Sequence, residues 1–264
     1  MSSVPNPLPE PMLPPQPVRI PGAEDPPWSG WDVLSVVAVT VVALVLVPLM
    51  VVLPARVLVY RQLPLMEIMQ VPYVILVAQM LIYIVVFALM FFLIRARTGK
   101  FWQPIRWHWP SRSWVGFLVL GAVVYLGLMG LGEVLPIPKH LPIDRFFQNA
   151  QEAALMSVLS VTLAPFMEEL FFRGLLYPVL ARRLGVGMAV FLTGAAFGLL
   201  HGAQLKYSWA VLIIFLVGIV LTIVRAVTKS VGASFLVHVG YNGTLSALLF
   251  AATGGFRHLE RLNQ

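Results

Sequence analysis

Three short patterns carry the residue types that hydrolytic chemistry needs. Met167-Glu168-Glu169-Leu170-Phe171-Phe172-Arg173 places two carboxylates and a guanidinium inside an apolar stretch, while Phe197 and His201 stand four residues apart in a second stretch and His238 and Asn242 four apart in a third. On a helix, positions four apart share a face, so each pattern turns its polar groups to one side. Neighbouring positions differ by about 100° around the axis, so Glu168 and Glu169 cannot reach one reacting atom together. Glu169 and Arg173, one turn apart, read as a charge-compensating pair that orients the helix and polarises the site. That leaves Glu168 for the chemistry. Phe197 reads as packing that shields it.

Two chemistries fit this set. Glu168, His201 and His238 are a usual zinc-ligand set, Zn2+ keeping a water in its open position. Alternatively, Glu168 acts as a general base without metal, while a histidine and Asn242 donate to a developing oxyanion. The first has the stronger ligand count. The second needs no metal delivered into a membrane cavity, and the H-E-x-x-H spacing of zincins is absent. A cysteine nucleophile, a zinc-thiolate site and a disulfide framework are excluded together, because the chain has no cysteine.

The elements that must position these groups are membrane helices. The chain is 59% hydrophobic and 11% charged, against roughly 25% charged in a soluble domain. Seven apolar stretches (residues 33–53, 71–94, 114–135, 153–180, 186–200, 209–224 and 231–252) follow one another. Five reach the roughly 20 residues that cross a bilayer core. The fifth and sixth fall short, and need extension by their flanks or burial in the bundle. The expected fold is therefore all-α: a polytopic transmembrane helical bundle of about seven spans.

Ionised groups in such a helix cannot face lipid. Each charge near a span centre costs about 2.5 to 3.5 kcal/mol, and Glu168, Glu169 and Arg173 together outweigh the roughly 4 to 8 kcal/mol contributed by the apolar residues around them. They must line a protein-walled cavity, with partners from other helices. Pro165 removes a helical hydrogen bond just before the motif, either kinking the helix or starting a new one. Gly194, Gly198, Gly202, Gly240 and Gly243 permit close helix approach near the histidines.

Residues 1–27 contain ten prolines and no apolar clustering, which suits a disordered tail. The expected organisation is a disordered Pro-rich cytoplasmic tail over 1–30, spans one to three over 31–140, a catalytic bundle over 141–255 and a short tail over 256–264. Arg19, Arg95, Arg97, Lys100, Arg106, Arg112, Arg182, Arg183, Arg225 and Lys229 fall on one side of this topology. Arg56, Arg61, Lys139, Arg145, Lys206, Arg257 and Arg261 fall on the other. The excess predicts a cytoplasmic amino terminus, and the expected location is the cell membrane, as an integral multi-pass protein. Basic residues scattered through short loops argue against a nucleic-acid partner.

The motifs E-E-x-x-x-R (Glu168, Glu169, Arg173), F-x-x-x-H (Phe197, His201) and H-x-x-x-N (His238, Asn242) resemble the three signatures of the CAAX-protease and bacteriocin-processing family of intramembrane proteases. They occur in order across the second half of the chain. The resemblance implies a helical bundle whose site opens toward the membrane interior. It also implies hydrolysis of a peptide bond in a membrane-anchored or lipidated polypeptide, including the prenylated CAAX type. Glu168 and His201 would activate water, and His238 and Asn242 would stabilise the oxyanion. The rival reading, a proton- or cation-coupled transporter, would use the same buried charges. It fits less well because no internal repeat is visible and the polar groups lie only in the later spans.

Overall fold

The computed structural model describes residues 26–263, all of whose regular elements are helical. α1 (Gly30–Leu58) leads through the short α2 (Leu65–Ile68) to α3 (Pro72–Thr98) and then α4 (Trp114–Val134). A single 3-10 turn, Pro142–Phe147, precedes a long composite helix: α5 (Ala150–Val161), α6 (Leu163–Glu169), a π-helical segment Leu170–Leu176 and α7 (Tyr177–Leu184). α8 (Val186–Leu200), α9 (Ala210–Thr228) and α10 (Val231–Ala252) complete the bundle.

Six of these elements are long and apolar enough to cross a membrane, and the fifth stretch of the sequence is the exception. The sixth lengthens to the 19 residues of α9, but α8 stays at 15. It is short because it stops at His201, its C-terminal cap. The outward faces of α1 and α4 are apolar: along all of α4 only Gly121 is buried. Lipid is the solvent that such a surface matches.

The composite helix lies between two cores. Leu170 and Leu175 pack with Trp28, Val36, Ile82 and Met90, whereas Phe172 packs with Phe197, Val217, Leu221 and Val237. α10 lies along α4 at backbone contact, since a Cβ on Gly121 would collide with the Val237 carbonyl and one on Gly240 with the Leu118 carbonyl. The same device joins α8 to α9, where a Cβ on Gly218 would come 3.0 Å from Gly194 Cα. Small residues thus seat each histidine-bearing helix closely on a neighbour, α10 on α4 and α8 on α9. Gly243 is different: a Cβ there would sit 3.8 Å from Val161, an ordinary contact.

The basic connections gather at one end. Arg97 pairs with Asp32 at 2.7 Å, Arg182 donates to the Pro26 and Trp28 carbonyls, and Val231 N–H donates to the Arg106 carbonyl. Most of the tail expected over 1–30 lies outside the described residues. Its last residues are placed: the Trp28 side chain is buried and donates from Nε1 to the Leu175 carbonyl at 2.9 Å.

Candidate active site

The composite helix is broken where the proline predicts. Pro165 has no N–H to offer the Val161 carbonyl, and the helix interrupts at Thr162 and restarts at Leu163. The break needs polar company, and Asn242 on α10 supplies it by donating from Nδ2 to the Ser160 carbonyl at 2.7 Å. One of the two Asn242 amide hydrogens is therefore committed to holding α5 against α10. At the other end of the segment Pro178 cannot donate to the Gly174 carbonyl, and the turns before it widen to the π form.

Within this segment the two neighbouring glutamates separate as their spacing requires. Glu169 is fully enclosed, its side chain 0% exposed, whereas Glu168 is 15% exposed and lines a cavity of about 1230 Å³. Arg173, also 0% exposed, donates from one guanidinium nitrogen to Glu169 Oε1 at 2.9 Å and from another to the Gly218 carbonyl at 2.9 Å. Its Nε donates to Thr222 Oγ1 at 3.3 Å, and its guanidinium carbon stands 4.6 Å from the centre of the Phe197 ring. Salt bridge, backbone acceptor and aromatic face together accommodate a cation that lipid would reject.

Glu169 does more than neutralise the arginine. It accepts from the Ser234 hydroxyl at 2.6 Å and from His238 Nδ1–H at 3.0 Å. The carboxylate thereby fixes which ring nitrogen of His238 carries the proton and turns Nε2 toward Glu168 Oε2, 3.7 Å away. His201 is fixed in the same sense by a different partner. At the end of α8 its backbone N–H bonds to the Gly198 carbonyl, and its Nδ1–H donates to the Phe197 carbonyl at 2.9 Å. Its Nε2 lies 3.7 Å from Glu168 Oε1. The two oxygens of one carboxylate thus each face one imidazole.

Phe197 is the hub of the packing around these groups. It is 2% exposed, with ring centres 4.8 Å from His201 and 5.7 Å from His238, and meets Phe172 edge-on at 5.2 Å. Glu168, Phe197, His201, His238 and Asn242 all border the cavity, and Glu169 and Arg173 lie behind it. The three sequence patterns therefore meet in space. Ser234 and Thr222 carried no signal in the sequence, because a lone hydroxyl in a span ordinarily bonds to its own helix, as Thr222 also does to the Gly218 carbonyl at 2.7 Å. The carbonyls of Ser160 and Gly218 could not be foreseen from side-chain types at all.

The donor chemistry of Glu168, His201 and His238 suits zinc, since each ring engages Nδ1 and presents Nε2, as ligating imidazoles do. Their spacing fits less well: among the described residues no three His, Cys, Asp or Glu side chains form a group that could hold a metal ion.

Neither a curated protein nor a solved structure matches this chain. A family model does, over the segment that contributes all seven residues of the three patterns: residues 150–244 match the Rce1-like type II CAAX prenyl endopeptidases, a domain of the CAAX-protease family that the motifs resemble.

Proposed function

We propose that the protein is an intramembrane endopeptidase that hydrolyses a peptide bond of a membrane-associated polypeptide. The observation that supports this best is the placement of both Glu168 oxygens 3.7 Å from an imidazole Nε2. That gap is too long for a direct hydrogen bond, and one water about 2.8 Å from both atoms spans it. A water so held donates to the Glu168 carboxylate and to His201 Nε2, whose lone pair is free because Nδ1 carries the hydrogen.

In the reaction Glu168 takes a proton from this water as its oxygen bonds to the scissile carbonyl carbon and the carbonyl π electrons move onto oxygen. Collapse of the tetrahedral intermediate expels the amine, which takes the proton from Glu168. Formally, Glu168 and Glu169 against Arg173 leave one negative charge, and a proton on His238 Nε2 offsets it. That N–H and the second amide hydrogen of Asn242 are the donors that stabilise the oxyanion. Should zinc bind, Glu168, His201 and His238 would hold it, and it would act as a Lewis acid on the water and carbonyl. Each step above is carried by side chains of the chain itself.

The family match and the cavity support a reading of the substrate class. At about 1230 Å³ it exceeds the roughly 300 to 1,000 Å³ of ordinary ligand sites, and its walls include Ile75, Leu76, Met80, Met156, Leu159 and Leu245. We therefore favour a lipidated polypeptide, of the prenylated CAAX type, as substrate. The amino terminus is assigned to the cytoplasm and the protein to the cell membrane, because the basic connections share one end of the bundle.

The test is cleavage of farnesylated and unmodified CAAX peptides by the detergent-purified protein. Glu168→Ala and His201→Ala should each abolish cleavage, and undiminished cleavage by both overturns the assignment. Metal analysis, with chelator and zinc add-back, decides between the two forms of water activation: activity lost and regained assigns the ion.

A further inference from the structure

We infer that Tyr83 on α3 is a further catalytic residue of this site, its phenol O–H donating to the scissile carbonyl oxygen as negative charge develops there. The inference rests on the endopeptidase reading and deepens it. α3 lies outside the segment that matches the protease family, and none of the three patterns includes it. Between residues 74 and 94 of this helix, Gln79 and Tyr83 are the two side chains that carry an N–H or O–H group. A polar group in a span is costly against lipid, and it faces a cavity or another helix when it has work to do. These two, one turn apart, border the cavity that contains Glu168, His201, His238 and Asn242.

The position of α3 gives Tyr83 its role. α3 packs on α1 and, through Ile82, Met90 and the Phe87–Phe166 ring contact, against the composite helix that carries Glu168, and beside that contact Gln79 and Tyr83 border the cavity. The Tyr83 ring packs against the core cluster that contains Ile82 and Val86, which fixes its direction, and the side chain lies near enough to Glu168 to interact with its charge. A substrate peptide bond in the cavity meets the nucleophilic water at Glu168, and its carbonyl oxygen can take a hydrogen bond from Tyr83 beside those from His238 and Asn242.

On the Glu168 side the His238 Nε2–H and the second Asn242 amide hydrogen are what remain for the oxyanion. His201 Nδ1–H is given to the Phe197 carbonyl, His238 Nδ1–H to Glu169, and one Asn242 amide hydrogen to the Ser160 carbonyl. The Tyr83 hydroxyl oxygen accepts a hydrogen bond from the Gln79 side chain, and its own hydrogen remains to donate. A phenol O–H is a competent oxyanion donor, and Gln79, a turn away, orients it.

The test is Tyr83→Phe, which removes one oxygen and keeps the ring that packs. With a farnesylated peptide, kcat should fall on the order of 10²-fold at unchanged KM, the loss typical of one oxyanion donor. Wild-type kcat, or a change confined to KM, overturns the inference. As a second measurement, 3-fluorotyrosine at position 83 preserves the shape and makes the phenol more acidic. The alkaline limb of kcat should then move to lower pH, and an unmoved limb also overturns it. Failure here is distinct from failure of the endopeptidase reading: an active wild type and an inactive Glu168→Gln uphold that reading even when Tyr83→Phe is fully active.

Discussion

Glu169 holds His238 by a 3.0 Å bond from the ring Nδ1–H, and Glu169 is sealed from the cavity that the opposite edge of the same ring borders. A carboxylate sealed from the cavity therefore decides which edge of an imidazole faces it. This division between a sealed acid and an open one is what separates the effects of changing two adjacent residues.

Glu168→Gln keeps the shape of the open acid and removes its basicity. Hydrolysis should fall about 10² to 10⁴-fold, the contribution of a positioned general base. The melting temperature in detergent should stay near wild type, because Glu168 is 15% exposed and its loss leaves no sealed charge behind. Measuring both on one preparation checks the pair of outcomes.

Arg173→Met is expected to act through stability first. It leaves Glu169 enclosed without its guanidinium, and breaking a sealed pair from one side costs about 3 to 5 kcal/mol. The joint replacement of Glu169 by Gln and Arg173 by Met should melt higher than Arg173→Met alone while remaining inactive, since His238 loses its ionised partner. Thermal denaturation read by circular dichroism distinguishes the two.

Gly240→Leu tests the crossing of α4 and α10. A Cβ there meets the Leu118 backbone rather than a flexible side-chain end, so the two helices must move apart. Displacing α10 moves His238 and Asn242 together, and activity should be lost along with the tight fold, seen as faster proteolysis of α4. Gly243→Ala, which faces an ordinary 3.8 Å contact, should be tolerated by both measures.

Trp28→Ala should destabilise the bundle by about 3 to 5 kcal/mol, as deletion of a buried large aromatic does. The loss combines packing in the first core with the Nε1–H bond to the Leu175 carbonyl. Trp28→Phe should recover the packing part and not the hydrogen bond. Denaturation midpoints of the three proteins give the comparison.

The pairing of Glu169 with Arg173 was legible in the amino-acid order from one helical periodicity, and Pro165 marked a kink or a restart from one missing N–H. The meeting of His201 and His238 at Glu168 was legible only through the need of buried charges for partners and through the family resemblance. The length of α8 was legible only as an ambiguity. Its 15 residues look too few until His201 is seen to end the helix inside the bundle. The capture of the Ser160 carbonyl by Asn242 and of the Gly218 carbonyl by Arg173 was not legible, since backbone acceptors become available only after a helix breaks or a neighbour approaches. Tyr83 escaped for a related reason. One phenol in the middle of an apolar helix gives no signal until the cavity beside it is known.

The π-helical segment Leu170–Leu176 has a consequence for how this protein can change over generations. A turn of that width holds one residue more than a regular one. Losing a single codon there would let the helix return to its commonest form and swing everything beyond it by about 100°, carrying Arg173 or its partners off their shared side. A change that improves local geometry would thus disarm the enzyme, and the widened turn should resist length variation even where its side chains tolerate exchange.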